Sequence, residues 1–434
     1  MEATPSNGLA APQLLTYCVN GKRRCGLTRP VKKRCATGAF DDLPLPGSAR
    51  CYSRVCAVHV SRLSAVVDAP EGLAAEPASR GSARRVAEYY HRLAGLNEEA
   101  VIRNTLENLL QLDYPADRRQ ILVLSDASTD RTEAMVSEYA RRGVQLLRMP
   151  RRRGKTAAEN AALALLRGEI IVNTDASVWV ERGALKPLIA SFADPTVGVA
   201  SGHGVSVAPR QEYANRVDSW YIGYEMWVRD LETRVSGIVG AAGCFHAVRA
   251  PIQRHALPEA LSRDFAVALL AREHGLRTVS VREAVCLIPR VPSLQREYRR
   301  KVRTITRGWH TLYFKRRLLN PFRYGAFSWI LVSHKICRWL IPHLSLPALA
   351  ALACLGRGAA WGRWGLGLAA FASLCAALAW RWPEGRRLPK VLAVPAYIVI
   401  GNLAALHAFV QAVRGERVPL WEPTRREAVR PAPG

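Results

Sequence analysis

From residue 95 onward, short apolar runs alternate with amphipathic stretches of helical period, and that alternation sets the first expectation for the fold. The turn Asn97-Glu98-Glu99 precedes a helix whose Val101, Ile102, Leu106, Leu109 and Leu110 share one face, and Tyr114-Pro115 ends it. Residues 121–124 form an apolar run that breaks at SDASTD; a helix over about 131–142 and a strand over 144–147 follow. The stretch from Lys155 reads as an Ala-rich amphipathic helix stopped at Gly168, then a buried strand over 169–173 that runs out at Asp175. Beyond it come a helix near 183–192, a strand over 197–201, an aromatic insertion at 218–234 and a small-residue stretch at 237–250. A helix over 264–274 ends at Gly275, and a basic helix spans 299–309. Strands alternating with helices predict βαβ units, hence an α/β fold with a mostly parallel sheet and helices on both faces. Asp126 and Asp175 each end a strand, where open α/β sheets bind ligands, so both are expected to face one cleft.

The last third of the chain changes solvent. Residues 327–355 are largely apolar but carry His334, Lys335 and Arg338, whereas 365–380 and 391–413 are nearly free of charge. The last run reaches the ~20 residues a bilayer crossing needs, and the middle one does so with Trp361 and Trp364 as interfacial anchors. Two or three membrane helices are expected over 326–413, the first partly interfacial, with buried core helices as the alternative. Basic residues at 315–317 and Arg425-Arg426 place the large domain and the terminus in the cytoplasm, which is consistent only with an even number of crossings.

Residues 1–92 are rich in Arg, Ala, Pro, Ser and Cys, show no sustained period and carry no signal-peptide pattern. They read as a poorly ordered basic arm; the abrupt onset of ordered sequence near Ala94 also fits a segment translated from a wrong start or in a shifted frame. Over all 434 residues, 62 Lys and Arg against 35 Asp and Glu leave a formal charge of +27. That excess suits a polyanion, an anionic membrane surface or a phosphorylated substrate without choosing among them. None of the ten cysteines has metal-site spacing, and the five from Cys244 to Cys375 read as buried thiols of a reducing compartment. Gly154-Lys155-Thr156 is no phosphate loop, because Met149 stands where that motif needs a glycine.

The ordered series NEE, SDASTD, GKTAAENAAL, a strand ending TDAS, GAAGCF, SRDFAVALLAREHG, an Arg-rich helix ending RGW and then membrane helices resembles the membrane-bound family 2 glycosyltransferases. These are the cellulose-, hyaluronan- and poly-N-acetylglucosamine-synthase-like enzymes with a GT-A, Rossmann-like catalytic domain, and the similarity runs over about 95–426. Outside the basic segment at 1–92, the resemblance implies a GT-A domain at 93–325, two or three transmembrane or interfacial helices at 326–413 and a cytoplasmic tail at 414–434. It implies an integral protein of a bacterial inner or plasma membrane, with a nucleotide-sugar donor, a glycan or lipid-linked acceptor and membrane lipids as partners, accessory export subunits in addition, and no nucleic acid.

Residue by residue, the resemblance makes Asp264 the general base and gives Asn97, Glu98, Asp126, Lys155, Asn160, Asp175, Arg303 and Arg307 to the donor. Gly243 and Trp309 go to the acceptor, and Asp175 with Ser177 to a Mg²⁺ or Mn²⁺ ion. Bare sequence reads some of these more plainly: Asp126 as an Asx turn, Asp264 as a helix cap, Trp309 as a core residue. The chain departs from the family pattern at three motifs: Asp175-Ala176-Ser177 replaces Asp-x-Asp, Arg263-Asp264 replaces Glu-Asp, and Arg303 to Trp309 keeps Gln-x-x-Arg-Trp only loosely. The tail WEPTRRE resembles a short motif that follows the last membrane helix in relatives, where it gates or docks. The stretch EYYHRLAG also lacks the apolar run of the strand that opens the family's sheet, so that strand is expected to be missing. An inverting enzyme that extends a polysaccharide is one reading; a transferase adding one sugar to a lipid carrier and a non-catalytic membrane-tethered relative are the others.

Overall fold

The computed structural model describes residues 89–207, 215–289, 293–383 and 388–420; the expected basic arm, apart from 89–92, and the WEPTRRE tail lie outside them. The chain starts with strand β1 (Tyr89–Gly95), helix α1 (Ile102–Leu110), strand β2 (Arg119–Ser125), helix α2 (Thr132–Ser137) and strand β3 (Val144–Arg148). Helix α3 (Lys155–Ala161), strand β4 (Ile170–Asp175), the short β5 (Trp179–Val180), helix α4 (Leu185–Ala190) and the long β6 (Val197–Val207) follow. Helix α5 (Asn215–Val235) is the aromatic insertion; β7 (Phe245–Arg249), α6 (Arg263–Glu273) and β8 (Arg277–Pro289) complete one eight-stranded sheet in the order β3-β2-β1-β4-β7-β6-β8-β5.

The half containing β3, β2, β1 and β4 is parallel, as the βαβ pattern predicts. β7 lies antiparallel between β4 and β6, so the sheet as a whole is mixed. Alternate residues of β2 and β4 feed separate cores. Ile121, Val123, Ile170 and Val172 pack with Leu106 and Leu109 of α1, while Leu122, Leu124 and Ile171 pack with Ala158 and Ala162 beneath α3. Both faces are therefore covered, which is why these strands read as continuous apolar runs.

The expected loss of the opening strand is not observed. Tyr89–Gly95 pairs in parallel with β2 on one side and β4 on the other, seating β1 near the middle of the sheet. Two neighbouring ladders fix an extended backbone whether or not the segment carries an apolar run. The expected helix over 131–142 is likewise split, α2 giving way to a 3₁₀ turn Ala140–Arg142 that ends at Gly143 with φ 83°.

After the sheet, α7 (Leu294–Phe314) absorbs the basic helix expected over 299–309. Three stretches are then long and apolar enough to cross a membrane: Ala326–Leu355, which ends in α8 (Arg338–Leu355), then α9 (Ala360–Trp380) and α10 (Lys390–Val413). His334 and Arg338 of the first stretch are tied to acidic residues of α5. Residues Val332–Cys337 form a π-turn, His334 pairs with Glu232 and lies 3.2 Å from Glu225, and Arg338 donates to Glu225 at 2.8 Å. Phe327, Ile330 and Leu331 pack with Val239 and Phe265. The start of this stretch is thus docked on the α/β domain through α5.

Candidate active site

The site lies at the carboxyl ends of the parallel strands. β4 delivers Asp175 to the rim, and α1 holds the loop that follows: Asn108 donates to the Val180 carbonyl at 2.8 Å and accepts from the Val180 amide at 2.8 Å. Thr105 donates to the Ala176 carbonyl in the same loop. These buried polar residues on an otherwise apolar helix face fix where Asp175 and Ser177 sit.

Asp175, Ser177, Lys155, Gly243 and Asp264 line one cavity of about 370 Å³, together with Glu98, Arg303 and Arg307. Lys155 Nζ is 2.5 Å from Asp175 Oδ1. Burial works against the lysine's charge, but Asp175, Glu159 and Asp264 outweigh it and hold its pKa above the ordinary value. Asp264 opens α6 from the N-terminal side, its Oδ1 accepting from the Ser262 hydroxyl and from the Phe265 amide at 3.0 Å. Burial would lift its pKa; the Ser262 bond, Lys155 and His246 together bring it below the ordinary aspartate value, leaving an ionised carboxylate.

Arg303 and Arg307 stand one turn apart on α7 and both reach the wall, as their spacing predicts. Arg307 is also a tie: its Nη2 donates to Thr156 Oγ1 at 2.8 Å and to the Leu261 carbonyl, so it joins α7 to α3 and to the loop before Asp264.

Other expected site residues are placed differently. Asp126 is 3% exposed and is not among the residues lining that cavity; it accepts from the Arg153 and Gly154 amides at 2.8 Å each, so it shapes the loop that presents Lys155. Asn97 accepts from the Thr129 amide at 2.9 Å and ties the NEE turn to the SDASTD loop. Asn160 donates to the Leu257 carbonyl at 2.7 Å and accepts from Arg263, away from the cavity wall. Trp309 packs in the aromatic cluster with Trp339 and Phe409, ring centroids 5.2 and 5.6 Å away, rather than on the wall. In each case the side chain meets its partner across 27 or more residues of sequence, which no local motif reveals.

The structure also adds residues that motif reading passed over. His246, on β7, lines the cavity beside Asp264, with Nδ1 2.8 Å from the Ala242 carbonyl oxygen. Glu159 and Arg263 form a 3.1 Å ion pair with each side chain 4% exposed. The signal for that pair was the Arg at the position where the resembling family has Glu. Cys244 lines the cavity with its sulfur 3.7 Å from that of buried Cys286.

Among the described residues no three His, Cys, Asp or Glu side chains converge into a metal cage. Asp175 with Ser177 nonetheless fits a Mg²⁺ or Mn²⁺ ion that takes its other ligands from phosphate oxygens and water, with Lys155 sharing the carboxylate.

The model of the family described as Glycosyl transferase family 2 matches residues 96–249, from the end of β1 to the end of β7. The chain carries a family 2 glycosyltransferase domain. The β-monoglucosyldiacylglycerol synthase of Synechocystis is 37% identical over 110 residues, 24% of this chain and 23% of that protein. An N-acetylglucosaminyltransferase of Bradyrhizobium diazoefficiens is 25% identical over 317 residues, covering 68% of this chain and 63% of its own. The mannosyltransferase PcManGT from Pyrobaculum calidifontis, solved with GDP-Man and Mn²⁺, has a TM-score of 0.61 at 22% identity over 85% of this chain and 97% of that one. The family 2 domain therefore has the expected GT-A-like α/β fold, here with a mixed sheet. The chain spans about a quarter of the length of the first of these curated relatives.

Proposed function

We propose that this chain is a membrane-anchored, inverting family 2 glycosyltransferase, moving a sugar from a nucleotide-diphosphate donor to a growing glycan or a lipid-linked acceptor. The observation that carries the reading is the shared cavity: an ionised Asp264 beside the Lys155–Asp175 pair, with Arg303 and Arg307 on the same wall. Asp264 takes the proton of the acceptor hydroxyl as its oxygen attacks the anomeric carbon. The bond from that carbon to the diphosphate breaks on the opposite face, and the electron pair leaves with the diphosphate. A single displacement inverts the anomeric centre. Lys155 and Arg303 meet the charge that develops on the leaving group, and Arg307 does so while holding α7 to α3. A Mg²⁺ or Mn²⁺ ion held by Asp175, with Ser177 beside it, would add Lewis-acid charge at the same oxygens.

Gly243 lets the acceptor approach Asp264, and Glu98, on the same cavity wall, forms the nucleoside side. Lys315, Arg316 and Arg317, next to the first apolar stretch, favour the cytoplasmic side of a bacterial inner or plasma membrane for the domain.

A second reading, addition of one sugar to a lipid, is favoured by the small number of candidate membrane helices, three among the described residues. The name of the Synechocystis relative points the same way. Membranes containing the protein are incubated with a panel of nucleotide sugars and Mg²⁺ or Mn²⁺, and release of nucleoside diphosphate is scored against Asp264→Asn. Organic extraction then separates a one-sugar glycolipid from polymer. No donor-dependent release, or full release from the Asp264→Asn protein, overturns the reading.

A further inference from the structure

Cys244 and Cys286 come from strands that are not neighbours. Cys244 immediately precedes β7, Cys286 lies in β8, and β6 runs between the two strands. Their sulfurs are nonetheless 3.7 Å apart. They meet over Gly204 of β6, which pairs with Cys286 and offers no side chain: a Cβ there would stand 3.6 Å from Cys244 Sγ and 2.7 Å from Ile288 Cδ1. The two thiols differ in their surroundings. Cys286 is 0% exposed within the main apolar core, whereas Cys244 lines the cavity that holds Asp175 and Asp264. One sulfur of a contacting pair is therefore open to a small solute in the site, and the other is shut away from solvent.

The backbone around the pair is held unequally. Cys286 is fixed on both sides, since β8 pairs with β6 at Gly204 and with β5 at Val180. Cys244 instead closes the small-residue run Gly240-Ala241-Ala242-Gly243, just ahead of the first β4–β7 ladder pair, Thr174 with Phe245. Its carbonyl accepts from the Asp175 amide at 3.3 Å, and its neighbour Gly243 leaves the space that Asp264 Oδ2 occupies. A pull on the Cys244 sulfur toward Cys286 thus moves the backbone that seats both carboxylates.

We propose that Cys244 and Cys286 are a thiol pair that hydrogen peroxide converts to a disulfide, and that this bond switches the site off. The proposal rests on the sugar-transfer reading above for the activity that is lost, though not for the bond itself. In a reducing compartment both cysteines rest as thiols. The Cys244 sulfur attacks one oxygen of the peroxide; the O–O bond breaks, water leaves and a sulfenic acid forms on Cys244. The Cys286 sulfur then attacks that of Cys244. The S–S bond forms, the S–O bond breaks, and the oxygen leaves as a second water with the Cys286 proton. Two thiols are oxidised to one disulfide while one peroxide is reduced to two waters. Bonded sulfurs are about 2.05 Å apart, so the pair closes by roughly 1.6 Å, and the Cys244 side yields. Displacement of a reacting group by about 1 Å costs on the order of 100-fold in rate. A dithiol reductant reverses the step by thiol–disulfide exchange.

The test treats membranes containing the full chain with hydrogen peroxide, blocks the remaining thiols with iodoacetamide and digests with trypsin without reduction. Peptides 235–249 and 283–290 each carry a single cysteine, so the disulfide is read as their linked mass. The linked peptide is expected, together with a loss of about 100-fold in donor-dependent nucleoside diphosphate release that dithiothreitol restores. Cys286→Ala, whose side chain is outside the cavity lining, is expected to keep its release through the same treatment. No linked peptide, a linked peptide with release unchanged, or an equal reversible loss in Cys286→Ala overturns the proposal. Should Cys286→Ala fail to fold, the peptide map and the dithiothreitol reversal in the parent chain carry the same decision. Untreated parent membranes that release nothing overturn sugar transfer instead, and the linked peptide alone then decides the disulfide.

Discussion

Gly243 and Asp264 are complementary: a Cβ at position 243 would stand 2.7 Å from Asp264 Oδ2, so the carboxylate occupies the space a side chain would need. Gly243→Ala is expected to displace the base while leaving the donor pocket formed. A shift of about 1 Å in a reacting group costs on the order of 100-fold in rate. Nucleoside diphosphate release should fall on that scale with donor Kd within a few-fold of the parent, as for Asp264→Asn; a large loss of donor binding would show that Gly243 serves the donor instead.

The pH profile follows from the same carboxylate. Because its pKa is depressed in the folded protein, Asp264 is ionised throughout the neutral range, and base catalysis is lost only as pH falls through a value below that of an ordinary aspartate, about 3.9. Ser262→Ala removes a hydrogen bond to the ionised form, so the acid limb of kcat/KM should move to higher pH. An unmoved limb would show that another group sets it.

The buried Glu159–Arg263 pair joins the helix that carries Lys155 to the one that carries Asp264. Breaking one partner of such a pair costs roughly 3–5 kcal/mol, since the other is left uncompensated. Glu159→Gln is expected to lower the thermal midpoint of the detergent-solubilised protein by several degrees, and the exchanged double variant Glu159→Arg with Arg263→Glu to recover part of it. Absence of any shift in Glu159→Gln would show that the pair contributes little.

Gly154 has φ 94°, and a Cβ there would come within 2.1 Å of the Pro419 carbonyl oxygen. Gly154→Ala should therefore push residues 419–420 off the Lys155 loop. Expected outcomes are a raised donor KM and faster tryptic cleavage at Arg414 and Arg417. If neither changes, the contact does not hold the tail.

Much of this architecture is visible before any coordinates. The apolar runs of β2 and β4, the amphipathic stretch of α1 and the strand-end position of Asp175 follow from residue spacing, because a strand buried on both faces and a helix buried on one leave distinct periods in the chain. The Arg303–Arg307 face is legible for the same reason. Asp126 shows where this stops: its place at a strand end was readable, but its carboxylate turns to the Arg153 and Gly154 amides. Asn160 shows the same limit, since its partners Leu257 and Arg263 lie about a hundred residues away.

Sequence by itself determined the class of the fold, the order of the motifs and the presence of two or three apolar helices after the domain, because burial is encoded locally as a repeat of residue type. Only the tertiary structure decided that Tyr89–Gly95 is a central strand, that Trp309 belongs to an aromatic cluster, and that α10 lies along a charged helix. Those outcomes depend on which distant segment supplies the second hydrogen-bonding edge, the facing ring or the opposing helix. A polar or aromatic side chain does not carry the identity of its partner in its own neighbourhood.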